Sequence, residues 1–259
     1  MLTVVRVGPL VTLQARPRRG FARHGVPASG PLDDEAHRAA LAAVGGADDD
    51  ATLEIPLMSA TFVASRAVMV SIDGEGPRAF AAGEPIMVPA HARAVRYLAV
   101  EGGFAVPEVL GSRATLPNAG LGGFEGRALR KGDVLPLVSP SPFTAGASTV
   151  ELVVDERIAF ASELPFSPIE FVVDPRSDRV GTRLSGATLT GGGEVRSSPL
   201  VPGAIQLPPD GQPIVIGPDG PTTGGYRVLG VLDRAMRDRL ARLRPGARCV
   251  LVGRADQSA

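Results

Sequence analysis

The stretch VPGAIQLPPDGQPIVIGPDGPTTGGY, residues 201–226, places short runs of strand-forming residues between six prolines and six glycines. Proline fixes φ and glycine permits turns that other residues resist, so each apolar run is bounded by a sharp turn. The same punctuation surrounds runs such as LTVVRV, TLEIPL, AVMVSI and RCVLV along the rest of the chain. Short strands separated by Gly and Pro turns predict a mainly β fold of the barrel or sandwich type.

Two segments depart from this pattern and predict short helices. DDEAHRAALAAV (33–44) is acidic at its start and is followed by two glycines, as a capped helix should be. DRAMRDRLARL (233–243) has Asp233 as a predicted N-cap and an apolar stripe along one face. His37, four residues after Asp33 on the first helix, is interpreted as part of a surface pairing.

Charge and hydropathy exclude several classes of protein. The chain has 27 basic and 27 acidic residues and a pI near 6.9, so we expect no nucleic-acid partner and no anionic membrane surface as partner. No run of about 18 apolar residues occurs, and the N-terminus lacks a signal-peptide pattern, so a cytoplasmic location is expected. The single cysteine, Cys249, is expected to be a buried thiol without a disulfide partner.

The length of 259 residues suits one large β-rich domain, and a weak internal sequence repeat indicates two lobes within it. LRKG (129–132) stands before VLPLV as LRPG (243–246) stands before RCVLV, each as a turn that precedes a strand. A chance match over four residues explains this repeat equally well. The predicted boundaries are a domain at 1–253, lobes at 1–138 and 150–253, a flexible linker at 139–149 and a tail at 254–259.

Several common catalytic signatures are absent from the sequence. No Gly-rich loop ends in Lys-Ser or Lys-Thr, so a P-loop is excluded, and GLGGFEGR (120–127) is interpreted as a tight turn. The three histidines are scattered and the one cysteine is in a strand, so no metal site is expected. Without a G-x-S-x-G motif, Ser29 is interpreted as a helix cap, with a hydroxyl activated by the neighbouring His24 as the alternative.

Three polar, conformationally restricted segments are candidates for a binding site: 18–33, 177–186 and 201–226. In SDRVGTRLSG (177–186), Arg179 and Arg183 flank a glycine turn that would direct both guanidiniums into one cleft, where they suit a carboxylate or a carbonate-like group. Surface ion pairs with Asp178 are the alternative.

The opening stretch contains five further candidates. Its prolines and glycines would hold the loop ready for a ligand at a low entropy cost, so it is interpreted as a preorganised binding surface for a polar small molecule. The alternative is that the prolines and glycines only form tight corners of a barrel. The candidate residues are Gln206, Asp219, Thr222, Thr223 and Tyr226.

At these segments the sequence resembles the allophanate hydrolase subunit 2 family, and the similarity runs through nearly the whole chain. This family includes the C subunit of ATP-dependent 5-oxoprolinase, the carboxyltransferase region of urea amidolyase and the Kip-type regulatory antagonist. The similarity is carried by GVPASGPLD (25–33), YLAVEGGFAVPEVLGSRAT (97–115), GLGGFEGRALRKGDVLPL (120–137), SDRVGTRLSG (177–186) and SPLVPGAIQLPPDGQPIVIGPDGPTTGGY (198–226).

The resemblance implies a cyclophilin-like β-barrel and a hetero-oligomer with a B-type and an A-type subunit. That complex would open the lactam of 5-oxoproline to glutamate with ATP bound at a subunit interface, and this chain alone would be inactive. Neither a metal site nor a biotin site is expected in this chain.

On this hypothesis the candidate residues have separate roles. Arg179 and Arg183 would hold an anion, and Asp219 would be the catalytic acid–base group. Gln206, Thr222 and Thr223 would orient the amide. The remaining candidate substrate-binding residues are Arg18, His24, Ser29 and Tyr226.

The chain also departs from the family pattern. Ala15, Gly46 and Pro221 stand where the family usually has Asp, Asn and Gln, and the segment between 139 and 177 is short for the family. The loss of the usual Asp and Gln favours one alternative, a Kip-like antagonist that binds a B-type partner without catalysis. A biotin-dependent carboxyltransferase component of a urea amidolyase-like system is the further alternative.

Overall fold

The computed structural model describes residues 1–139, 152–160 and 168–253, and within them the chain is mainly β with two α-helices. The mainly β class with a few short helices is therefore confirmed. The strands are β1 (Leu2–Arg6), β2 (Thr12–Gln14), β3 (Thr52–Pro56), β4 (Ala60–Ala64), β5 (Val68–Ile72), β6 (Arg78–Phe80), β7 (Pro85–Val88), β8 (Val95–Val100), β9 (Val134–Leu135), β10 (Arg157–Phe160), β11 (Ile169–Val173), β12 (Gly181–Gly186), β13 (Glu194–Pro199), β14 (Ala204–Leu207), β15 (Ile214–Ile216), β16 (Thr223–Val231) and β17 (Arg248–Gly253). The helices are α1 (Asp34–Ala43) and α2 (Arg234–Arg242), with 3-10 turns at Ala22–His24 and Pro117–Ala119.

The chain divides into two compact units. The first contains Met1–Arg19 and Ser29–Leu152, and the second contains Gly20–Ala28 and Val153–Ala259. The predicted linker lies, except for Ser139, outside the described residues, as does the predicted tail at 254–259. The prediction of one domain with lobes at 1–138 and 150–253 stays a prediction.

The first unit is built from two antiparallel sheets and α1. The sheets have the strand orders β7-β4-β1-β9 and β2-β3-β8-β5-β6, and apolar side chains from both contribute to one core. Strand β4 alternates between buried and partly exposed residues, as a strand with one covered face should. Every residue of β8 is buried, because the core covers one of its faces and α1 packs against it.

The second unit contains an eight-stranded sheet with the order β10-β17-β11-β12-β15-β14-β16-β13. Its neighbouring strands are antiparallel except for the parallel pair β10 and β17. Alternate residues of β14 enter two different apolar clusters, Ile205 and Leu207 in the main core and Ala204 in a smaller cluster with Leu200 and Ile216. The side chain of Gln206 therefore belongs to the same face as Ala204.

Both predicted helices are confirmed, with aspartate caps. Asp33 accepts a hydrogen bond from the Ala36 amide at 3.0 Å, and Asp233 accepts one from the Met236 amide at 3.0 Å. The interpretation of Ser29 as the cap of α1 is wrong, because Asp33 occupies that position. None of the helices in the described part of the chain is long and apolar enough to cross a membrane.

The two similar segments, LRKG (129–132) and LRPG (243–246), have the same backbone conformation at their glycines. Gly132 and Gly246 both have positive φ, at 94° and 85°, and β9 and β17 begin two residues after them. Left-handed backbone of this kind favours glycine, which explains why the same residue recurs before each strand. Cys249 lies in β17 as a buried free thiol, as predicted, and burial raises its pKa to about 12.

Candidate functional site

Two of the predicted site residues form a buried ion pair in the second unit. The Nε and Nη2 atoms of Arg179 donate to the two carboxylate oxygens of Asp219 at 2.7 Å and 2.9 Å. The Asp219 amide also donates to the Arg179 carbonyl at 3.1 Å. Only 8% of Arg179 and 6% of Asp219 is exposed, so the pair is desolvated and depends on its two-pronged geometry. An acid–base role for Asp219 stays a prediction; in this structure Arg179 engages both of its oxygens.

Glycines let the loop at 217–220 pack directly on the backbone that carries Arg179. A Cβ on Gly217 would lie 2.2 Å from the Arg179 carbonyl oxygen, and one on Gly220 would lie 2.8 Å from the Val180 carbonyl oxygen. The Gly217 amide donates to the Val180 carbonyl at 2.9 Å. The close approach that the ion pair requires is therefore possible only without side chains at these two positions.

Gln206 lies beneath the glycines of the T-T-G-G-Y segment. A Cβ on Gly224 would lie 2.5 Å from Gln206 Nε2 and 2.5 Å from Leu200 Cδ1. Gln206 is 5% exposed, and among the described residues its Nε2 has no hydrogen-bond partner. We call Leu200, Ala204, Gln206, Ile216 and Gly224 the Gln206 subsite.

The other predicted residues of the 201–226 segment, Thr222, Thr223 and Tyr226, lie on either side of Gly224 in the sequence. Thr222 is partly exposed, and its carbonyl accepts a hydrogen bond from the Leu200 amide at 2.9 Å. Thr223 is exposed at the start of β16, and Tyr226 is partly exposed opposite Glu194 of β13. The loop from the ion pair thus leads directly to a segment whose hydroxyl groups are near solvent.

Two further predicted residues of the second unit, Arg183 and His24, are exposed. The pKa of Asp174 is held well below its usual range, mainly by hydrogen bonds from Arg176 and to a smaller extent by the charge of Arg183. The Nε2 atom of His24 accepts a hydrogen bond from Arg23 Nε at 3.0 Å. The surroundings of Arg183 therefore differ from those of the buried ion pair.

The predicted residues of the first unit are held by one polypeptide segment. Arg18 is buried and donates through Nη2 to the Ala114 carbonyl at 2.6 Å. Ser29, with a φ of 55°, donates through Oγ to the Thr115 carbonyl at 2.7 Å. Gln14 Nε2 donates to the same carbonyl at 3.1 Å. These side chains bridge backbone that is distant in sequence, and the Ser29 hydroxyl is engaged as a donor.

The glycine-rich turn predicted at 120–127 closes over this segment. A Cβ on Gly122 would lie 2.2 Å from the Ala114 carbonyl oxygen and 2.9 Å from Arg18 Nη2. A Cβ on Gly123 would lie 1.9 Å from Thr115 Oγ1, and both glycines have positive φ. The interpretation as a tight turn is confirmed, and its glycines are required by packing as well as by conformation.

A buried polar cluster in the first unit was not predicted from the sequence. The Tyr97 hydroxyl donates to Glu54 Oε2 at 2.6 Å and accepts from the Asp33 amide at 3.0 Å, and the Leu32 amide donates to the same Glu54 oxygen at 2.9 Å. Burial, followed by the charge of Glu54, raises the pKa of Tyr97 well above its usual range. Polar residues inside otherwise apolar strands were the available signal.

His37 belongs to the same cluster, so its assignment to a surface pairing is wrong. It is 2% exposed, its Nδ1 lies 2.8 Å from Thr52 Oγ1, and its ring meets the Tyr97 ring edge-on. Burial, with a smaller contribution from the charge of Arg38, lowers the pKa of His37 to about 3. The ring is neutral at physiological pH. We call Asp33, His37, Thr52, Glu54 and Tyr97 the Tyr97 cluster.

A second buried group, also not predicted, lies around Asp73 in the first unit. Asp73 accepts hydrogen bonds from Arg93 Nη2 at 2.5 Å, from Arg96 Nε and from the Tyr97 amide at 2.6 Å. Its φ of 54° is left-handed, which its place before Gly74 in an Asp-Gly turn explains. This carboxylate fixes the 89–93 loop to β8.

The chain is similar to a known family over most of its length. The family model described as the carboxyltransferase domain, subdomain A and B, matches residues 24–252. The chain is also 33% identical over 272 residues to the C subunit of 5-oxoprolinase from Escherichia coli (strain K12). This similarity covers 94% of this chain and 88% of that relative.

Two solved structures are similar over nearly the whole chain. The crystal structure of TTHA0988 superposes with a TM-score of 0.83 at 27% identity, covering 97% of this chain and 55% of that one. The K. lactis urea amidolyase superposes with a TM-score of 0.82 at 26% identity, covering 97% of this chain and 18% of that one. This chain therefore spans about half of the first protein and less than a fifth of the second.

Proposed function

Because this chain belongs to the family of the carboxyltransferase domain, subdomain A and B, we propose that it acts like the C subunit of an ATP-dependent 5-oxoprolinase. The reaction would hydrolyse the lactam of 5-oxoproline to glutamate. The observation that carries this proposal is the 33% identity to the C subunit of a 5-oxoprolinase across 94% of this chain. The similarity to the K. lactis urea amidolyase structure is lower, at 26%.

The geometry of the second unit supports a small polar substrate. The Arg179–Asp219 pair fixes the loop at 217–220, and that loop leads from Ile216 of the Gln206 subsite to the T-T-G-G-Y segment. A rigid loop between a buried amide and near-surface hydroxyl groups is suited to holding a small amide in one orientation. We place the substrate at this loop, with Gln206, Thr222, Thr223 and Tyr226 as its contacts.

The charged residues take proposed roles that follow from their surroundings. Arg179 and Arg183 are proposed to hold the substrate anion, with Arg183 at the exposed side. Asp219 is proposed as the acid–base group, and this role requires Arg179 to release part of the carboxylate during turnover. The substrate-binding roles of Arg18 and Ser29 in the first unit, and of His24 in the second, stay predictions.

The partners follow from the same family membership. We propose that the chain acts in a hetero-oligomer with a B-type and an A-type subunit and that it is inactive alone. ATP would bind at an interface with a partner, and we assign no residue of this chain to it. A cyclophilin-like barrel arrangement of the strands and a cytoplasmic location complete the proposal.

A Kip-like antagonist that binds a B-type partner without catalysis is the second candidate. It is favoured by Ala15, which is fully buried and stands where the family usually has Asp, and by Pro221 in place of the usual Gln. Both changes remove polar groups from motif segments while leaving the fold intact. A biotin-dependent carboxyltransferase component is the third candidate.

Glutamate release from 5-oxoproline and ATP tests the proposal. The chain is mixed with its own B-type and A-type partners, and each protein is omitted in turn. We expect release only when this chain is present. Undiminished release without it would exclude the role of an oxoprolinase subunit. Binding to the B-type partner without any release would favour the antagonist, and biotin-dependent carboxyl transfer would favour the third candidate.

A further inference from the structure

The side chain of Gln206 is an incomplete hydrogen-bonding group at the proposed substrate site. It is only 5% exposed, and within the described residues its buried Nε2 atom has no hydrogen-bond partner. Buried amides in folded proteins ordinarily have hydrogen-bond partners, so a ligand that supplies the missing partner would bind favourably here. On the same face of the sheet, Leu200, Ala204 and Ile216 form a small apolar cluster, and apolar side chains offer no hydrogen-bond partner.

The chemistry of a carboxamide defines the group that would complete it. A primary carboxamide presents an N–H donor and a carbonyl acceptor along one edge, and its complement is a second amide with both groups on the same edge. A lactam has that arrangement because its ring holds the amide cis. An acyclic secondary amide is trans, so its N–H and carbonyl point in opposite directions.

We propose that Gln206 is a specificity-determining residue that recognises the N–H and carbonyl edge of a lactam by two parallel hydrogen bonds. The inference rests on the proposed function and names the feature of the substrate that the site selects. Primary amides and ureas share this edge and would also be accepted. Acyclic secondary amides, N-alkylated lactams and lactones would be rejected.

The rest of the Gln206 subsite fits the ring that carries such an edge. Leu200 and Ile216 supply an apolar surface for the methylene groups of the ring. Gly224 has no Cβ, and a methyl group there would lie 2.5 Å from both Gln206 Nε2 and Leu200 Cδ1. The glycine therefore lets the ends of the Gln206 and Leu200 side chains lie close to the backbone of the T-T-G-G-Y segment.

Binding of three matched probes to the full chain, measured by calorimetry with and without its B-type partner, tests this inference. The probes are 5-oxoproline, its N-methyl derivative and the lactone in which oxygen replaces the ring N–H. We expect 5-oxoproline to bind at least about ten-fold more tightly than either analogue, the effect of one lost hydrogen bond to a buried partner. Equal affinities, or no binding of any probe, would overturn the inference.

Two glutamine variants separate recognition from structure. Gln206→Met keeps the volume and removes the amide, so the ten-fold preference should vanish while the melting temperature stays the same or rises. Gln212→Met is the matched control: the Gln212 Nε2 atom donates to the Ala187 carbonyl at 3.2 Å. That variant should lower the melting temperature and keep the preference. A preference that survives in Gln206→Met would contradict the assignment.

These measurements are independent of turnover. Selective binding without glutamate release would refute the 5-oxoprolinase proposal and leave lactam recognition by Gln206 standing. Glutamate release with equal affinities for the three probes would refute lactam recognition by Gln206 and leave the 5-oxoprolinase proposal standing.

Discussion

The Tyr97 cluster and the Gln206 subsite both bury polar side chains, but they satisfy them differently. In the Tyr97 cluster one hydroxyl joins a carboxylate and a helix-entry amide, and both contacts lie at hydrogen-bonding distance. In the Gln206 subsite the Nε2 atom of a carboxamide of comparable burial has no hydrogen-bond partner among the described residues. In the first region the Tyr97 hydroxyl and the Glu54 carboxylate are hydrogen-bonded within the protein, although His37 Nε2 has no partner among the described residues. In the second region the Nε2 atom of the central side chain, Gln206, is the one without a partner.

This difference shows that burial alone does not distinguish a structural polar group from a binding one. A buried group with complete partners contributes to stability, whereas a buried group without them destabilises the free protein by about 1–3 kcal/mol. The same kind of substitution should therefore have opposite effects in the two regions. Variants of both regions, taken in order of decreasing effect on stability, probe that contrast.

Asp219→Ala should cause the greatest loss of stability. It would leave the buried guanidinium of Arg179 without its two-pronged acceptor, at a cost of about 3–5 kcal/mol. Chemical denaturation followed by circular dichroism measures the change. Glu170→Ala, which breaks an exposed pair with Arg248, is the control and should change stability by about 0.5 kcal/mol or less. Equal effects of the two variants would show that the buried pair has no structural role.

Tyr97→Phe should destabilise the first unit by about 2 kcal/mol. The change removes the buried hydroxyl that accepts from the Asp33 amide and donates to Glu54, so two hydrogen bonds of the core are lost. Tyr226→Phe is the matched control, because this tyrosine is only partly buried. Gln206→Met deletes a buried polar group as well, yet it should not destabilise. A loss of stability in Gln206→Met equal to that in Tyr97→Phe would show that the two regions do not differ.

The Tyr97 cluster should also make stability depend on pH. Because the pKa of His37 is about 3 in the folded chain and about 6.5 when unfolded, the unfolded chain binds more protons between these values. Stability therefore rises with pH in this window and falls on acidification, by about 2 kcal/mol between pH 6.5 and pH 5.

His37→Gln tests this pH dependence. Removing the titratable ring should reduce the fall in unfolding free energy between pH 6.5 and pH 5, although stability at neutral pH falls as well. His24→Gln, at an exposed position, serves as the control and should leave this fall unchanged. The unfolding free energy is measured at several pH values. If the fall in stability on acidification persists in His37→Gln, other titratable groups cause it.

Gly224→Ala should have the smallest effect on stability and a clear effect on binding. The added methyl group would displace the ends of Gln206 and Leu200, two flexible side chains, at a cost of about 1 kcal/mol. The affinity for 5-oxoproline should fall because the amide leaves its position. Gly225→Ala is the control, since the nearest atom to its Cβ is 3.4 Å away. Similar affinities in the two variants would remove Gly224 from the subsite.

Much of the fold and part of the site could be predicted from local sequence. The Gly and Pro turns predicted the strands, and the aspartates at 33 and 233 predicted the helix starts, because these signals act within a few residues. The glycine loop at 120–127 was also correctly interpreted as a turn. Local signals of this kind do not depend on what the segment packs against.

The errors and omissions concern residues whose role depends on distant partners. His37 was assigned to the surface because its own helix gives no sign that Thr52 and Tyr97 lie against it. Ser29 was interpreted as a cap, but its hydroxyl is bound by the Thr115 carbonyl, 86 residues away. The Asp73 group was missed for the same reason, since Arg93 reaches it from the 89–93 loop and Arg96 from β8, about 20 residues along the chain.

The mainly β class, the two capped helices and the segments that carry the family resemblance follow from the amino-acid sequence alone, because turns, caps and strand propensity are local properties. The pairing of Arg179 with Asp219, 40 residues away, follows only from the folded chain. So does the burial of Gln206 beneath Gly224, with its Nε2 atom unpaired among the described residues. Burial and hydrogen-bond pairing are set by which strands become neighbours, and that neighbourhood is a property of the whole sheet.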